Sequence, residues 1–166
     1  MLAPGKVVAL VYSSGDIPAP MNRVLFFITF LAPIIALTMI ASKKGDINKT
    51  FKGVAMDFHD PVAYHTIGRA SKGQKSVRTE HNGAFYHFIS HSNMQLFKES
   101  PRSYLPAYGG YCAYGVSIDG SRKNVDPAVW EILDGRLYLF EGQKERTEFG
   151  YKSREYIQQA NINWLE

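Results

Sequence analysis

The side chains of this sequence that are best suited to chemistry are histidines and one cysteine. All five histidines lie between positions 59 and 91, and the only cysteine follows at position 112. Imidazole nitrogen and thiolate sulfur are ligands that zinc, copper and iron accept in proteins. The pattern therefore predicts a transition-metal site. Its candidate ligands are Cys112, His91, His59 and His65.

Tyrosines surround the cysteine in the segment Tyr108-Gly-Gly-Tyr-Cys-Ala-Tyr114, where the glycines allow close backbone approach. This composition predicts a pocket for a metal ion or a small molecule. The candidate lining residues are Tyr64, His87, Tyr108 and Tyr111. Two alternatives stay open. Cys112 is a candidate redox thiol if it is exposed and its pKa is lowered. The aromatic residues are also typical of a structural or interaction module with no chemistry.

Several kinds of function are excluded by what the sequence lacks. A single cysteine rules out an intrachain disulfide and a zinc site built from several cysteines. The sequence contains no nucleophile elbow, phosphate-binding loop or dinucleotide fingerprint, so no catalytic residue is predicted. The net charge of +4 comes from scattered basic residues, which argues against a nucleic-acid partner. A non-enzymatic binding domain is therefore the favoured class.

The N-terminal quarter of the chain has the pattern of a targeting segment. Met21-Asn-Arg23 precedes an uncharged run from Val24 to Ala41, and Lys43 and Lys44 follow. A short basic start, an apolar run and a polar exit are typical of a signal sequence. An uncleaved membrane anchor at residues 24–41 is the alternative, and a third possibility is an N-terminal strand followed by a buried helix.

These features divide the chain into four expected segments. They are an extension upstream of the native start (1–20), a signal sequence or membrane anchor (21–41), a linker (42–50) and the domain (51–166). Contact with a membrane is expected only through the uncharged run, if that run is not removed.

Turn and capping residues predict the elements of the domain. Asn82-Gly83 and Asp134-Gly135 are strong hairpin turns, so strands are expected on both sides of each. Asp60-Pro61 and Asp126-Pro127 both have the chemistry of helix starts, with aspartate as N-cap and proline at the first helical position. Further helices are expected after Ser90 or Ser92, at about 110–116 and over about 143–164. The predicted fold is α+β, a small antiparallel sheet of hairpins packed with short helices and a C-terminal helix.

A set of ordered motifs across the domain resembles a known family. The motifs are Asp60-Pro-Val-Ala-Tyr64, Asn82-Gly-Ala-Phe-Tyr-His-Phe-Ile-Ser90, Phe97-x-x-x-Pro-x-x-Tyr104, Tyr108-Gly-Gly-Tyr-Cys-Ala113 and Trp130-x-Ile-x-Asp-Gly-x-Leu-Tyr-Leu139. Over residues 52–164 the chain resembles a YHS-domain protein of the small exported bacterial type. The resemblance implies an exported domain, periplasmic or secreted, that binds or senses a ligand.

The resemblance also bears on the metal site. In metal-handling members of the family, transition-metal binding is attributed to paired cysteines. The corresponding positions here are Ala63, Ile89 and Asn93, and none of these side chains is a ligand for soft metals. The resemblance therefore implies the YHS fold without its thiolate site. The predicted function rests instead on the residues around Cys112.

Overall fold

Six α-helices and two β-hairpins form the part of the chain that the structure describes, residues 46–165. The structure is a computed structural model. Its two antiparallel two-stranded sheets and its C-terminal helix confirm the predicted α+β class. The predicted extension, the signal sequence or anchor and the first linker residues, positions 1–45, lie outside the described residues. Within residues 46–165, no helix is long and apolar enough to cross a bilayer.

The helices are short, and most of them lie between the two hairpins or after them. They are α1 (Pro61–Thr66), α2 (His91–Glu99), α3 (Pro101–Tyr104), α4 (Ala113–Asp119), α5 (Gln143–Tyr151) and α6 (Ser153–Leu165). The strands are β1 (Gln74–His81), β2 (Ala84–Phe88), β3 (Asp126–Leu133) and β4 (Arg136–Phe140). Two 3₁₀ turns cover Met56–Phe58 and Ala107–Gly110.

The first hairpin, β1 and β2, confirms the prediction made from Asn82-Gly83. Both turn residues have positive φ, +52° and +78°, which matches the right-handed twist of the flanking strands. Tyr86 and Phe88 of β2 are buried on one face of the strand, and His87 is buried on the other. The strand is therefore covered on both sides, as its nearly continuous apolar pattern predicts.

The second hairpin, β3 and β4, corrects one prediction. Asp126-Pro127 does not begin a helix but opens β3, and the Asp126 carboxylate accepts a hydrogen bond from the Ala128 amide at 2.9 Å. An Asp-Pro pair suits an extended start as well as a helical one, because proline is tolerated at the first residues of a strand. The strand pairs with β4, for example Trp130 opposite Leu139, and this pairing selects the extended conformation over the helical one.

The helix ends confirm the capping predictions in part. Asp60 caps α1, accepting from the amides of Val62 and Ala63, and Ser90 caps α2 by accepting from the Asn93 amide. The short helix expected at about 110–116 is displaced towards the C-terminus, because left-handed φ values at 108–110 hold the glycine segment in a 3₁₀ turn. The last helical segment is broken at Lys152, whose φ is −140° and ψ is 41°, into α5 and α6.

Two apolar clusters form the core. The first joins the first hairpin to α1 and α2, and its largest members are Tyr64, Tyr86, Phe88 and Phe97. The second joins α4 to β4 and the two C-terminal helices, and it includes Cys112, Phe140 and Phe149. The aromatic side chains of both clusters pack in tilted or edge-to-face pairs, such as Phe88 with Phe97 in the first and Phe140 with Phe149 in the second.

The start of the described chain lies against the glycine turn. The Asn48 amide donates to the Gly109 carbonyl at 2.9 Å, and the Asn48 side chain donates to the Gly110 carbonyl at 3.1 Å. A Cβ on Gly109 would clash with the Asp46 carbonyl oxygen, so only glycine permits this approach. We call residues 46–48 the N-terminal arm.

Candidate functional site

Cys112 lies in the second core cluster, with none of its surface exposed. It is the residue before α4, and its sulfur accepts a hydrogen bond from the Glu141 amide at 3.4 Å. A thiol that reacts with disulfides or binds a metal has to be reachable and favoured as thiolate. The burial of Cys112 in an apolar cluster instead fits the role of a small core residue.

The other three predicted metal ligands occupy different settings. His91 is exposed in the first turn of α2. His59 is half-buried, and its Nδ1 donates to the carbonyl oxygens of Met56 and Asp57 at 3.0 and 3.1 Å. His65 is half-buried in α1, and its ring meets that of Tyr104 edge-to-face at 5.5 Å. Burial lowers the pKa of His65, so the neutral form is favoured.

The structure does not gather these residues into a metal centre. Within residues 46–165, no group of three or more His, Cys, Asp or Glu side chains is placed to hold a metal ion. His87 is also isolated: its Nδ1 donates to the Gln74 carbonyl at 3.1 Å, and its ring lies 4.9 Å from that of Phe58.

The positions at which the YHS resemblance places cysteines do converge, but around a carboxylate. Asp60 is fully buried, and its two oxygens accept four hydrogen bonds. Three of the donors are the Ala63 amide, the Ile89 amide and the Asn93 side chain. A buried carboxylate with this many donors is stable only while they are present. We call Asp60 with these donors the Asp60 node, and it ties α1 to the strand–helix junction.

Two of the predicted pocket tyrosines have structural hydrogen bonds. The Tyr64 hydroxyl donates to the Pro127 carbonyl at 2.9 Å, and burial together with the Asp126 and Asp60 carboxylates raises its pKa. The Tyr111 hydroxyl donates to the Asp46 carboxylate at 3.1 Å, and its pKa is raised by burial and by that bond. Both tyrosines join segments that are distant in sequence.

A surface cleft of about 410 Å³ lies elsewhere, where the N-terminal arm, the first hairpin turn, α3, the start of β4 and the end of α6 meet. Its volume falls within the range of small-molecule sites. The residues that give the cleft its chemical character are Tyr86, Asn82, Arg102, Arg136, Tyr108 and Trp164. Of the predicted pocket residues only Tyr108 lines it, whereas Tyr64, His87 and Tyr111 do not.

The walls of the cleft combine cationic and aromatic groups. Arg102 and Arg136 are exposed, and neither has a carboxylate oxygen within 4.0 Å among the described residues. Tyr108 and Trp164 are in contact, with ring centroids 6.0 Å apart. The Tyr108 hydroxyl is engaged with the Asn161 side chain at 3.2 Å, and burial is the main reason that its pKa is raised.

Tyr86 forms the buried part of the cleft. Only 2% of its surface is exposed, and its ring packs on Phe97 at 5.0 Å. Burial alone raises its pKa to about 12, and no described residue forms a hydrogen bond with its hydroxyl. Tyr86 lines the cleft, so its hydroxyl can donate a hydrogen bond to a molecule bound there.

Sequence reasoning missed most of this site. Arg102, Arg136 and Asn82 sit beside turns or in a short helix, where exposed polar residues carry no distinctive signal. Tyr86 and Tyr108 belong to the tyrosine-rich composition that predicted a pocket, but the pattern did not separate them from core tyrosines. The cleft arises from segments up to 118 positions apart, Asp46 and Trp164, which no local motif could join.

No family model matches the chain, and comparison with curated proteins and with solved structures produced no match either. The YHS resemblance therefore rests on the residues that carry it.

Proposed function

We propose that this chain is an exported, non-enzymatic YHS-type domain that binds a small molecule in the cleft between the N-terminal arm and the end of α6. The observation that carries the proposal is the cleft itself, which combines a tyrosine hydroxyl, two arginines and an aromatic wall. Convergent polar groups in a concave, partly apolar site are the usual features of a ligand pocket.

The cleft favours a small molecule over the other ligand considered, a transition metal. The candidate ligands Cys112, His91, His59 and His65 occupy separate settings, and Cys112 has no exposed surface. A metal site needs several such atoms at bonding distance from one point. The cleft offers arginine and tyrosine, which recognise organic ligands, in place of imidazole and thiolate.

The burial of Cys112 also weakens the alternative that this chain is a thiol redox protein. A redox thiol attacks a disulfide as an accessible thiolate. Cys112 is enclosed by the second core cluster, so reagents reach it only when the domain opens.

The test is whether small molecules bind in the cleft of the full chain. Ligand-observed NMR is run with four probes of similar size: benzamide (neutral), benzylamine (cationic), benzoate and phenyl phosphate (both anionic). We expect at least one to bind with a Kd of about 1 mM or tighter. Leu105→Trp, which fills the cleft, should abolish the signal, and Leu96→Trp, on α2 outside it, should not.

Two results would contradict the proposal. One is the absence of binding by all four probes. The other is binding that survives Leu105→Trp, provided that urea unfolding and circular dichroism find this variant folded like the Leu96→Trp control.

A further inference from the structure

The arginines of the cleft differ from most others in the described chain by their surroundings. Arg122 and Arg146 face carboxylates, Asp46 at 3.9 Å and Glu131 at 3.7 Å, and Arg78 lies over the ring of Phe85. Arg102 and Arg136 line the cleft, and no carboxylate oxygen of residues 46–165 lies within 4.0 Å of either guanidinium. Arginine presents a planar fork of donors that matches a carboxylate or phosphate group with two parallel hydrogen bonds.

The carboxylate that also lines the cleft does not neutralise these two arginines. Asp46 accepts the Tyr111 hydroxyl and lies beside Arg122, on the side of the cleft formed by the N-terminal arm. A neighbouring depression shares Arg102 with the cleft and contains Glu99, but that carboxylate is hydrogen-bonded to Gln95 and lies beyond 4.0 Å from the guanidinium. Among the described residues, the two guanidinium groups of the cleft therefore have no carboxylate partner.

Tyr86 supplies an independent observation. Its side chain is almost completely buried, it lines the cleft, and its hydroxyl has no partner among the described residues. Tyrosine is protonated at neutral pH, and burial raises the pKa of Tyr86 further, to about 12, so the phenol is available as a donor. The Tyr86 hydroxyl and the two guanidinium groups line the same cleft, and an oxyanion is an acceptor that suits all three donors.

On the basis of the proposed ligand-binding role, we infer that the cleft recognises a small organic oxyanion, a carboxylate or phosphate, held by Arg102, Arg136 and the Tyr86 hydroxyl. The apolar part of the ligand lies against Trp164 and Leu105. The two arginines attract and orient the anion, and the tyrosine hydroxyl donates a hydrogen bond to it.

The experiment measures the affinity of the full chain for benzoate and phenyl phosphate, with benzamide as the uncharged counterpart of benzoate. Four variants are compared: Tyr86→Phe, Arg102→Gln, Arg136→Gln and the control Arg69→Gln. Arg69 is exposed and outside the cleft, so the control removes one positive charge without touching the site. Tyr86→Phe keeps the ring packed on Phe97 and removes only the hydroxyl.

We expect the anionic probes to bind more tightly than benzamide, and each cleft variant to weaken their binding by about 10-fold. Arg69→Gln should change it by less than about 2-fold. Binding should also weaken as ionic strength rises from about 0.01 to 0.15 M, because the guanidinium groups are exposed. The ratio of benzoate to phenyl phosphate affinity distinguishes a carboxylate site from a phosphate site.

Each contrary result has a separate meaning. Benzamide binding as tightly as benzoate, with no effect of the three cleft variants, would overturn the oxyanion inference and leave the ligand-binding cleft intact. Anion binding that is equally sensitive to Arg69→Gln would mean a diffuse surface charge and would overturn the inference too. Absence of binding by any probe would contradict both the inference and the proposed function.

Discussion

The Asp60 node and the cleft are two polar regions of one small domain, and they differ in whether their polar groups have partners among the described residues. At the node, the buried Asp60 carboxylate is surrounded by donors from α1, the end of β2 and α2. In the cleft, Arg102, Arg136 and the Tyr86 hydroxyl find no such partners among the described residues.

The difference separates a structural role from a binding role. A buried charge that forms all its hydrogen bonds inside the protein contributes to stability. It has no free hydrogen-bonding capacity for a ligand. Polar groups left unpaired in a concave site add little to stability but are ready to bind. We therefore expect substitutions in the two regions to have different consequences, and the following tests go from the largest expected effect to the smallest.

Asp60→Ala should be the most destabilising of these changes. It removes the cap of α1 and leaves the Ile89 amide and the Asn93 side chain without an acceptor, which predicts a loss of about 3 kcal/mol or more in the free energy of unfolding. Asp126→Ala is the matched control, because Asp126 also precedes a proline but is exposed and caps one amide. Its expected cost in urea unfolding is about 1 kcal/mol or less. Equal losses of unfolding free energy in the two variants would contradict a special stabilising role of the Asp60 node.

Gly109→Ala should come next, and it tests the wall of the cleft. The residue has φ of +61°, and a Cβ would clash with the Asp46 carbonyl, so the N-terminal arm has to move. We expect a loss of more than about 1 kcal/mol and weaker binding of anionic probes. Gly135→Ala has a similar φ of +75° but no atom within 4 Å of the added Cβ. Gly135→Ala should lose stability through backbone strain alone and keep its affinity for the anionic probes. A loss of affinity in both variants would contradict a specific role of the N-terminal arm in binding.

The pH dependence of stability should depend on His65. Burial lowers its pKa below 6.5, so the folded chain takes up this proton less readily than the unfolded chain. The contribution of neutral His65 to the stability of the fold is therefore fully present above about pH 6.5. It is lost as the pH falls from there through the lower pKa that His65 has in the folded chain. Urea unfolding at pH 7.5 and 5.5 should show a smaller acid-induced loss for His65→Gln than for the wild type. The exposed His91→Gln serves as control, and an unchanged loss in His65→Gln would exclude His65 as the source.

The double variant Arg102→Gln/Arg136→Gln should have the smallest effect on stability. Both guanidinium groups are exposed and have no carboxylate partner within the described part of the chain, so the free energy of unfolding is expected to change by less than about 0.5 kcal/mol. Urea unfolding measures the change. A loss above 1 kcal/mol would assign the arginines a structural role and remove the contrast between the cleft and the Asp60 node.

Much of the fold was predictable because its signals are local. Asn82-Gly83 and Asp134-Gly135 favour positive φ and close hairpins without help from the rest of the chain, and both turns were predicted correctly. Asp60 satisfies the first amides of the helix that it precedes, which is also a local interaction. The same Asp-Pro chemistry at position 126 led to the wrong element, because a dipeptide that fits two conformations is decided by its distant strand partner.

The candidate site was less predictable than the fold. Cys112 was the most prominent chemical residue in the sequence, yet the packing of α4 against β4 buries it completely. The five histidines are close in sequence and yet occupy different surroundings in space. Nearness along the chain is a poor guide to nearness in space once a hairpin and several helix ends intervene.

The sequence by itself determined the α+β class, the two hairpin turns and the caps of the helices that begin at Pro61 and His91, because each depends on residues a few positions apart. Only the tertiary structure decided which polar groups are satisfied. The Asp60 carboxylate meets its donors across 33 positions, and the cleft joins the N-terminal arm to the end of α6. These long-range contacts decide whether a polar group forms its hydrogen bonds within the protein or stays available to a ligand. No short stretch of sequence encodes them.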